Sequence, residues 1–195
     1  MLTLAVADPP EAWSSLGFTV ADSVCRVGDV CFALGAEGGK GVRAWSLPSV
    51  DGLRVCEPAP VEPPGQSAGA HANGVVDLDH LVVTTPDHQR TLAAFEAAGW
   101  DLRRVRETDT YGAPMRQAFY KIDRVVLEVV GPAEPMGDSP ARFWGLAFVS
   151  HDLDATASYL GDRLHPAKDA VQPGRRIATL DKTAGPTVPI AFMTP

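Results

Sequence analysis

The feature that most constrains this chain is a pattern of strands and one helix that occurs twice in succession. Each copy has an apolar strand, a helix capped by Asp and ended by Gly, further strands and a closing Pro. The copies span residues 76–132 and 143–195, and Asp87 of the first corresponds to Asp152 of the second. Repetition at this period indicates duplicated supersecondary units that share one core. The first copy predicts the element order βαβββ, and the chain is therefore expected to be an α+β protein.

The N-terminal residues 1–55 predict an abbreviated βαβββ-like unit, with a strand, a short helix ending at Gly17 and later alternating strands. Residues 56–75 are so rich in Pro, Gly, Ala and Ser that we expect an extended linker, in which His71 is solvated. Residues 76–195 then form the main domain.

Composition excludes several classes of partner. The 195 residues carry a net charge of −7, which gives no basic field for nucleic acid. No apolar run reaches the roughly 20 residues of a membrane helix, and the start lacks the basic region of a secretory signal, so we expect a cytoplasmic protein. Three cysteines form no CxxC pair and are expected to be free thiols.

Two polar residues of the first copy are candidates for a reactive or ligand-binding site. Alternation puts His80 on one face of the first strand, and Glu128 on one face of the last strand among valines. A carboxylate buried there costs several kcal/mol unless something pairs with it. A divalent ion such as zinc, iron, nickel or manganese suits imidazole and carboxylate ligands. Without a metal, Glu128 would instead accept a hydrogen bond or ion pair from His80 or an arginine.

These residues resemble a known family. A duplicated βαβββ unit with an LDHLVV first strand and an LEVVGP last strand is similar to the vicinal oxygen chelate superfamily. Its members include glyoxalase I, extradiol dioxygenases, fosfomycin-modifying enzymes and bleomycin resistance proteins. The resemblance implies a mixed sheet curled into a cup that binds a small molecule, with the N-terminal unit adding strands beside it. It also implies that a homodimer is plausible.

The resemblance implies metal ligands at equivalent positions of both units, but this chain departs from that pattern. The positions equivalent to His80 and Glu128 are Gly145 and Ala191, which cannot ligate. The implied metal site is therefore incomplete, and a third ligand would come from His165, the substrate or another subunit.

Strand position nominates further cup residues for an anionic or carbonyl-bearing ligand, because guanidinium pairs with carboxylate. One arginine of the pair Arg175 and Arg176 should face the cup. Glu128 is the candidate catalytic residue. The candidate substrate-binding residues are Arg116, Gln117, Phe119, Trp144, Arg176 and Phe192.

Two functions follow, and the sequence leaves open whether the protein is an enzyme. The first is metal-free binding of a small organic molecule, of the bleomycin resistance type, in a cup lined by His80, Glu128 and arginines. The alternative is a metal-dependent lyase, isomerase or dioxygenase with His80 and Glu128 as ligands.

Overall fold

The structure is a computed structural model that describes residues 1–58, 70–109 and 112–195. The N-terminal elements are β1 (Leu2–Val6), α1 (Pro10–Ser14), β2 (Val20–Ala21), β3 (Val24–Val27), β4 (Val30–Leu34) and β5 (Val42–Trp45). The middle elements are β6 (Val75–Thr84), α2 (His88–Ala97), β7 (Leu102–Thr108), β8 (Met115–Ile122) and β9 (Val125–Pro132). The C-terminal elements are β10 (Arg142–Ser150), α3 (Leu153–Leu160), a 3₁₀ turn (Gly161–Arg163), β11 (Lys168–Asp169), β12 (Arg176–Thr179) and β13 (Ile190–Met193).

Both long helices start where the repeated aspartates predict. The Asp87 side chain accepts a hydrogen bond from the Arg90 backbone N–H at 2.9 Å, which caps α2. The Asp152 side chain caps α3 in the same way, through the N–H groups of Asp154 and Ala155. Gly99 follows α2 with φ +81°, a conformation that ends a helix without the steric penalty of a Cβ.

An eight-stranded mixed sheet holds the two repeated units in the order β11-β12-β13-β10-β6-β9-β8-β7. In each unit the first strand pairs in parallel with the last, β6 with β9 and β10 with β13. The units meet at the antiparallel pair β6 and β10. The expected α+β fold of repeated βαβββ units is therefore confirmed.

The N-terminal unit repeats this topology in a separate five-stranded sheet of order β2-β3-β4-β1-β5, where β1 and β4 are parallel. Within the described residues, this sheet forms no ladder with the larger sheet. The unit instead packs against the larger sheet through side chains. The division of the chain into domains and a linker stays a prediction.

Aromatic residues fill the space between the two sheets. The ring of Trp13 lies 5.0 Å from Phe32 and 6.0 Å from Phe148 of β10, all three being fully buried. A second contact joins Trp45 of β5 to Trp100 beyond α2, with stacked rings 5.6 Å apart. Burial of such rings supplies a large apolar contribution to stability, so the two sheets form one core.

His71 is buried, contrary to the solvated linker residue expected from the sequence. Its Nδ1 accepts the Thr19 backbone N–H at 2.9 Å, so Nε2 carries the proton and donates to the Arg26 carbonyl at 2.9 Å. The side chain thus ties the start of the second unit to the N-terminal sheet. Of the expected linker, residues 59–69 lie outside the described residues.

Two further features of the fold bear on function. No helix in the described ranges is long and apolar enough to cross a bilayer. Within the described residues the three cysteines form no disulfide, and burial, with Cys31 nearby, raises the pKa of Cys25 to about 12. A thiol with so high a pKa is a poor nucleophile.

Candidate functional site

A cavity of about 430 Å³ lies on one face of the eight-stranded sheet, where strands of both units meet. His80, Glu128, Thr84 and Thr179 are its polar lining. The remaining lining is apolar and comprises Val82, Met115, Val130, Trp144, Leu146, Ala147, Ile177, Pro189, Ile190 and Ala191. A cavity of this size and character fits a small organic molecule.

His80 and Glu128 lie on the same wall of this cavity. They come from the neighbouring parallel strands β6 and β9, where Val82 is the register partner of Glu128. His80 Nε2 is 3.8 Å from Glu128 Oε2, and both side chains are largely buried. Strand alternation indicated this shared placement, and the structure brings the two groups within reach of one ligand.

Asp79 fixes the orientation of the His80 ring. Its Oδ2 lies 2.7 Å from His80 Nδ1, and its Oδ1 lies 2.7 Å from Arg175 Nη2. Burial alone would raise the pKa of Asp79, but the hydrogen bonds from His80 and Arg175 hold it below its ordinary value. Since the carboxylate is ionised, Nδ1 donates to it, and a neutral His80 presents the Nε2 lone pair to the cavity.

Adjacent residues of a regular strand point to opposite faces, so the contact between Asp79 and His80 needs an irregularity. The ladder between β6 and β10 supplies it, because His80 is opposite Ala147 and Leu78 is opposite Phe148. Asp79 is the extra residue of this β-bulge.

The Glu128 carboxylate is held in place by Gln117, at the end of the pair away from Asp79. Gln117 Nε2 donates to Glu128 Oε1, and Gln117 Oε1 accepts from Arg106 Nε at 2.8 Å. The polar side chains thus form one continuous series, called here the polar chain. It consists of Arg175, Asp79, His80, Glu128, Gln117 and Arg106.

The structure brings some of the other nominated residues to the site. Trp144 lines the cavity with a half-exposed ring. Gln117 reaches the site through Glu128. Phe119 is the register partner of Glu128 but does not line the cavity, and the Arg106 guanidinium lies 5.9 Å from the centre of its ring.

Three nominated residues lie elsewhere. Arg116 does not line the cavity, and its Nε faces Glu107 at 3.4 Å. Arg176 pairs with Asp154 of α3 at 3.0 Å, while its neighbour Arg175 belongs to the polar chain. Phe192 is fully buried in the aromatic core. Across the described residues, the cavity lining contains no arginine.

Sequence reasoning missed Asp79 and Arg106. Alternation places Asp79 on the face opposite His80, and only the bulge reverses that. Arg106 lies on an edge strand, with exposed side chains on both sides in sequence, so its approach to Gln117 has no signature in the pattern.

The equivalent wall of the second repeat carries no polar group at the matching positions. Ala191 lines the cavity, and a Cβ built on Gly145 would lie 3.0 Å from the Pro189 carbonyl oxygen. His165 is more than half exposed and faces Asp181 at 3.5 Å, outside the cavity lining.

The donor set does not fit a metal site with three protein ligands. Within residues 1–58, 70–109 and 112–195, no group of three His, Cys, Asp or Glu side chains is arranged to hold an ion. Among the described residues that line the cavity, His80 and Glu128 are the two of these types, and both amide atoms of Gln117 are engaged. Catalytic zinc sites commonly supply three protein ligands.

Solved structures of other proteins have a fold similar to that of this chain. No family model and no curated protein matches the sequence. The structure of methylmalonyl-CoA epimerase from Mycobacterium tuberculosis aligns with this chain at TM-score 0.51 and 20% sequence identity. The alignment covers 63% of this chain and 89% of the epimerase chain. A Streptomyces coelicolor methylmalonyl-CoA epimerase variant in complex with 2-nitronate-propionyl-CoA matches 62% and 94%, with TM-score 0.51 and 19% identity. A hypothetical protein from Bacillus halodurans C-125 matches 61% and 94%, with TM-score 0.50 and 14% identity.

Proposed function

Because this chain has the fold of the vicinal oxygen chelate superfamily, we propose that its cavity binds a small carbonyl-bearing molecule and that His80 and Glu128 move a proton on it. The reaction class is isomerisation by proton transfer between neighbouring atoms. One observation carries the proposal: two proton acceptors, His80 Nε2 and Glu128 Oε2, lie 3.8 Å apart on one cavity wall.

The cavity walls favour a compact, largely apolar ligand. Most lining residues are aliphatic, and the hydroxyl groups of Thr84 and Thr179 are the remaining polar lining beside the two acceptors. Such a hydroxyl can donate a hydrogen bond to a carbonyl oxygen. The part of the ligand that occupies the cavity is therefore a short organic group whose carbonyl faces the acceptor wall.

The proton transfer starts at His80. Its Nε2 lone pair takes a proton from the carbon next to the carbonyl group, which leaves an enolate on the ligand and an imidazolium on the protein. The ionised Asp79 carboxylate balances that imidazolium charge. For a ligand with a hydroxyl group on that carbon, Glu128 carries the hydroxyl proton to the enolate oxygen. The imidazolium then returns its proton to the former carbonyl carbon, so that the carbonyl and hydroxyl groups exchange places.

The two acceptors approach the ligand from the same side. Inversion of configuration at one carbon requires proton removal and return on opposite faces. A shift between neighbouring atoms can take place on a single face, and the spacing of His80 and Glu128 suits it. The proposed reaction therefore differs from that of the epimerases whose fold this chain shares.

The proposal is tested by hydrogen exchange in D₂O, followed by proton NMR. The probes are methylmalonyl-CoA, which a solved structure of this fold binds, and a series of short 2-oxo and 3-oxo acids. We expect at least one compound to exchange the C–H beside its carbonyl group. Glu128→Gln and His80→Asn should each slow this exchange by about 10².

His165→Asn is the matched control, because His165 also faces a carboxylate but lies outside the cavity lining. Exchange that stays at the buffer rate for every probe, or that is unchanged in both cavity variants, contradicts the proposal. Ligand-induced stabilisation without exchange would leave simple binding as the function. Activity that is lost on treatment with a chelator and restored by zinc would favour the metal-dependent alternative.

A further inference from the structure

A second groove, of about 400 Å³, adjoins the cavity, and Trp144 and Pro189 line both. It lies at the seam between the N-terminal unit and the second repeat. Residues 40–43 and 52–54 form one side, and residues 141–144 with Thr187 and Pro189 form the other. A single elongated ligand could therefore enter both spaces past Trp144.

The groove is basic although the chain is acidic overall. Lys40, Arg43, Arg54 and Arg142 line it, and no Asp or Glu is among the described residues of its lining. Among the described residues, none of these four side chains forms an ion pair with a carboxylate. The nearby Asp51 is engaged by Arg90 and by the Thr91 hydroxyl.

Arg43 is the cation whose polar atoms are least satisfied. Its Nε is buried and has no hydrogen-bond partner within the described residues. Its guanidinium lies beside Gly38 and Gly39, where added Cβ atoms would come within 3.6 and 3.5 Å of its terminal nitrogens. Both glycines have positive φ, at +95° and +118°, a backbone conformation that favours glycine.

The seam that carries the groove is fixed by hydrogen bonds. The Gly41 N–H donates to the Thr187 hydroxyl at 2.8 Å. The Thr187 N–H donates in turn to the fully buried Asp8 carboxylate at 2.6 Å. The cations therefore lie on a braced scaffold, which reduces the entropy lost when an anion binds.

We propose that this groove binds the phosphate-bearing tail of the ligand whose carbonyl head occupies the cavity. Guanidinium and ammonium groups pair strongly with phosphate, and four unpaired cations in one groove match a diphosphate better than a single carboxylate. The N-terminal unit supplies three of the four cations. The identity of the head rests on the proposed function, whereas the anion site stands on its own observations.

Titration calorimetry with inorganic pyrophosphate tests the anion site directly. We expect binding that weakens as salt concentration rises. Arg43→Gln and Lys40→Gln should each raise the dissociation constant about tenfold. Arg104→Gln, which removes an exposed cation from the distant edge strand β7, should leave it unchanged. Arg43→Lys keeps the charge and should retain most of the affinity, which separates lost binding from lost folding.

The link between tail and head is tested in the exchange assay. For a substrate with a diphosphate tail, Arg43→Gln should raise KM and leave kcat unchanged, while short oxo acids should show no effect. His80→Asn and Glu128→Gln should leave pyrophosphate binding intact. Failure of the proton-transfer proposal is therefore distinguishable from failure of the anion site. Absence of pyrophosphate binding, or equal loss in Arg104→Gln, overturns the anion site. Pyrophosphate binding with an unchanged KM for tailed substrates overturns the role as a tail site.

Discussion

Asp79 is the residue on which the reactivity of His80 depends. Its carboxylate accepts a hydrogen bond from the Nδ1–H group, so the unprotonated Nε2 is the acceptor that faces Glu128. The ion pair with Arg175 keeps that carboxylate charged. A neutral replacement of the same shape would keep the packing and change only the charge and the direction of the hydrogen bond.

Asp79→Asn should therefore slow proton exchange by about 10² or more without unfolding the protein. The amide can donate to Nδ1, which moves the ring proton to Nε2 and removes the acceptor from the cavity. Nitrogen NMR of the His80 ring measures the tautomer, and the D₂O assay measures the rate.

Asp181→Asn offers a matched control, because it alters a second aspartate that faces a histidine, His165, at the surface. It should leave the rate unchanged. An unaltered rate in Asp79→Asn, with the tautomer shifted, would contradict the role assigned to Nε2.

The sequence predicted the site most reliably where strand alternation alone decides the geometry. His80 and Glu128 could be placed on one face because each lies in a long apolar strand with a clear period. The sequence nominated Arg176, whereas Arg175 is the arginine that pairs with Asp79. The difference depends on where β12 begins, because Arg175 lies just before the strand. A one-residue uncertainty in a strand boundary reverses the face that every side chain occupies.

The segment between β12 and β13 is tied by hydrogen bonds to the N-terminal unit, far away in the chain. Asp8, just before α1, accepts hydrogen bonds from the Thr187 N–H and hydroxyl and from Trp13 Nε1. The same segment carries Pro189, which lines both the cavity and the basic groove. The sequence does not indicate this contact, because residues so far apart in the chain form no local pattern.

Asp8→Ala should lower the free energy of unfolding by about 3 kcal/mol, because it leaves several buried donors without an acceptor. It should also increase hydrogen exchange at the Val188 amide, which lies next to the lost contact. Urea denaturation and exchange mass spectrometry measure the two effects. Glu11→Ala, an exposed acid in α1, is the control and should change neither. Loss of stability without faster exchange at Val188 would contradict the bracing of this segment.

In the whole molecule, the N-terminal unit packs on the face of the eight-stranded sheet opposite the cavity, where Phe148 contacts Trp13. Its βαβββ character could be foreseen from local patterns, but its position could not. Packing of Trp13 and Phe18 against Phe148 and Phe192 depends on complementary surfaces, which no periodicity encodes. The homodimer, the cytoplasmic location and the lack of a nucleic-acid partner stay predictions.

The junction between the units is expected to be sensitive to acid. Burial lowers the pKa of His71 below its ordinary value, and its neutral Nδ1 accepts the Thr19 N–H. A depressed histidine pKa contributes stability that is fully present above the unfolded value of about 6.5 and is lost as pH falls below it. The pKa of His88 is also lowered by burial and adds in the same direction.

The free energy of unfolding should therefore decrease between pH 7.5 and about pH 5.5, as measured by urea denaturation. His71→Asn should be less stable at neutral pH and should show a smaller dependence on pH. His151→Asn, at an exposed histidine, should keep the dependence of the original protein. Identical pH profiles for the His71 variant and the original protein would contradict the assignment.

The bulge at Asp79 makes the reactive pair conditional on strand length as well as on residue identity. Deletion of Leu78 would let the ladder with β10 close into a regular register, with Asp79 opposite Phe148. Alternation would then place Asp79 and His80 on opposite faces of β6, so that the carboxylate could no longer accept a hydrogen bond from Nδ1. A residue-by-residue sequence comparison would count both residues as present, although the contact between them would be lost.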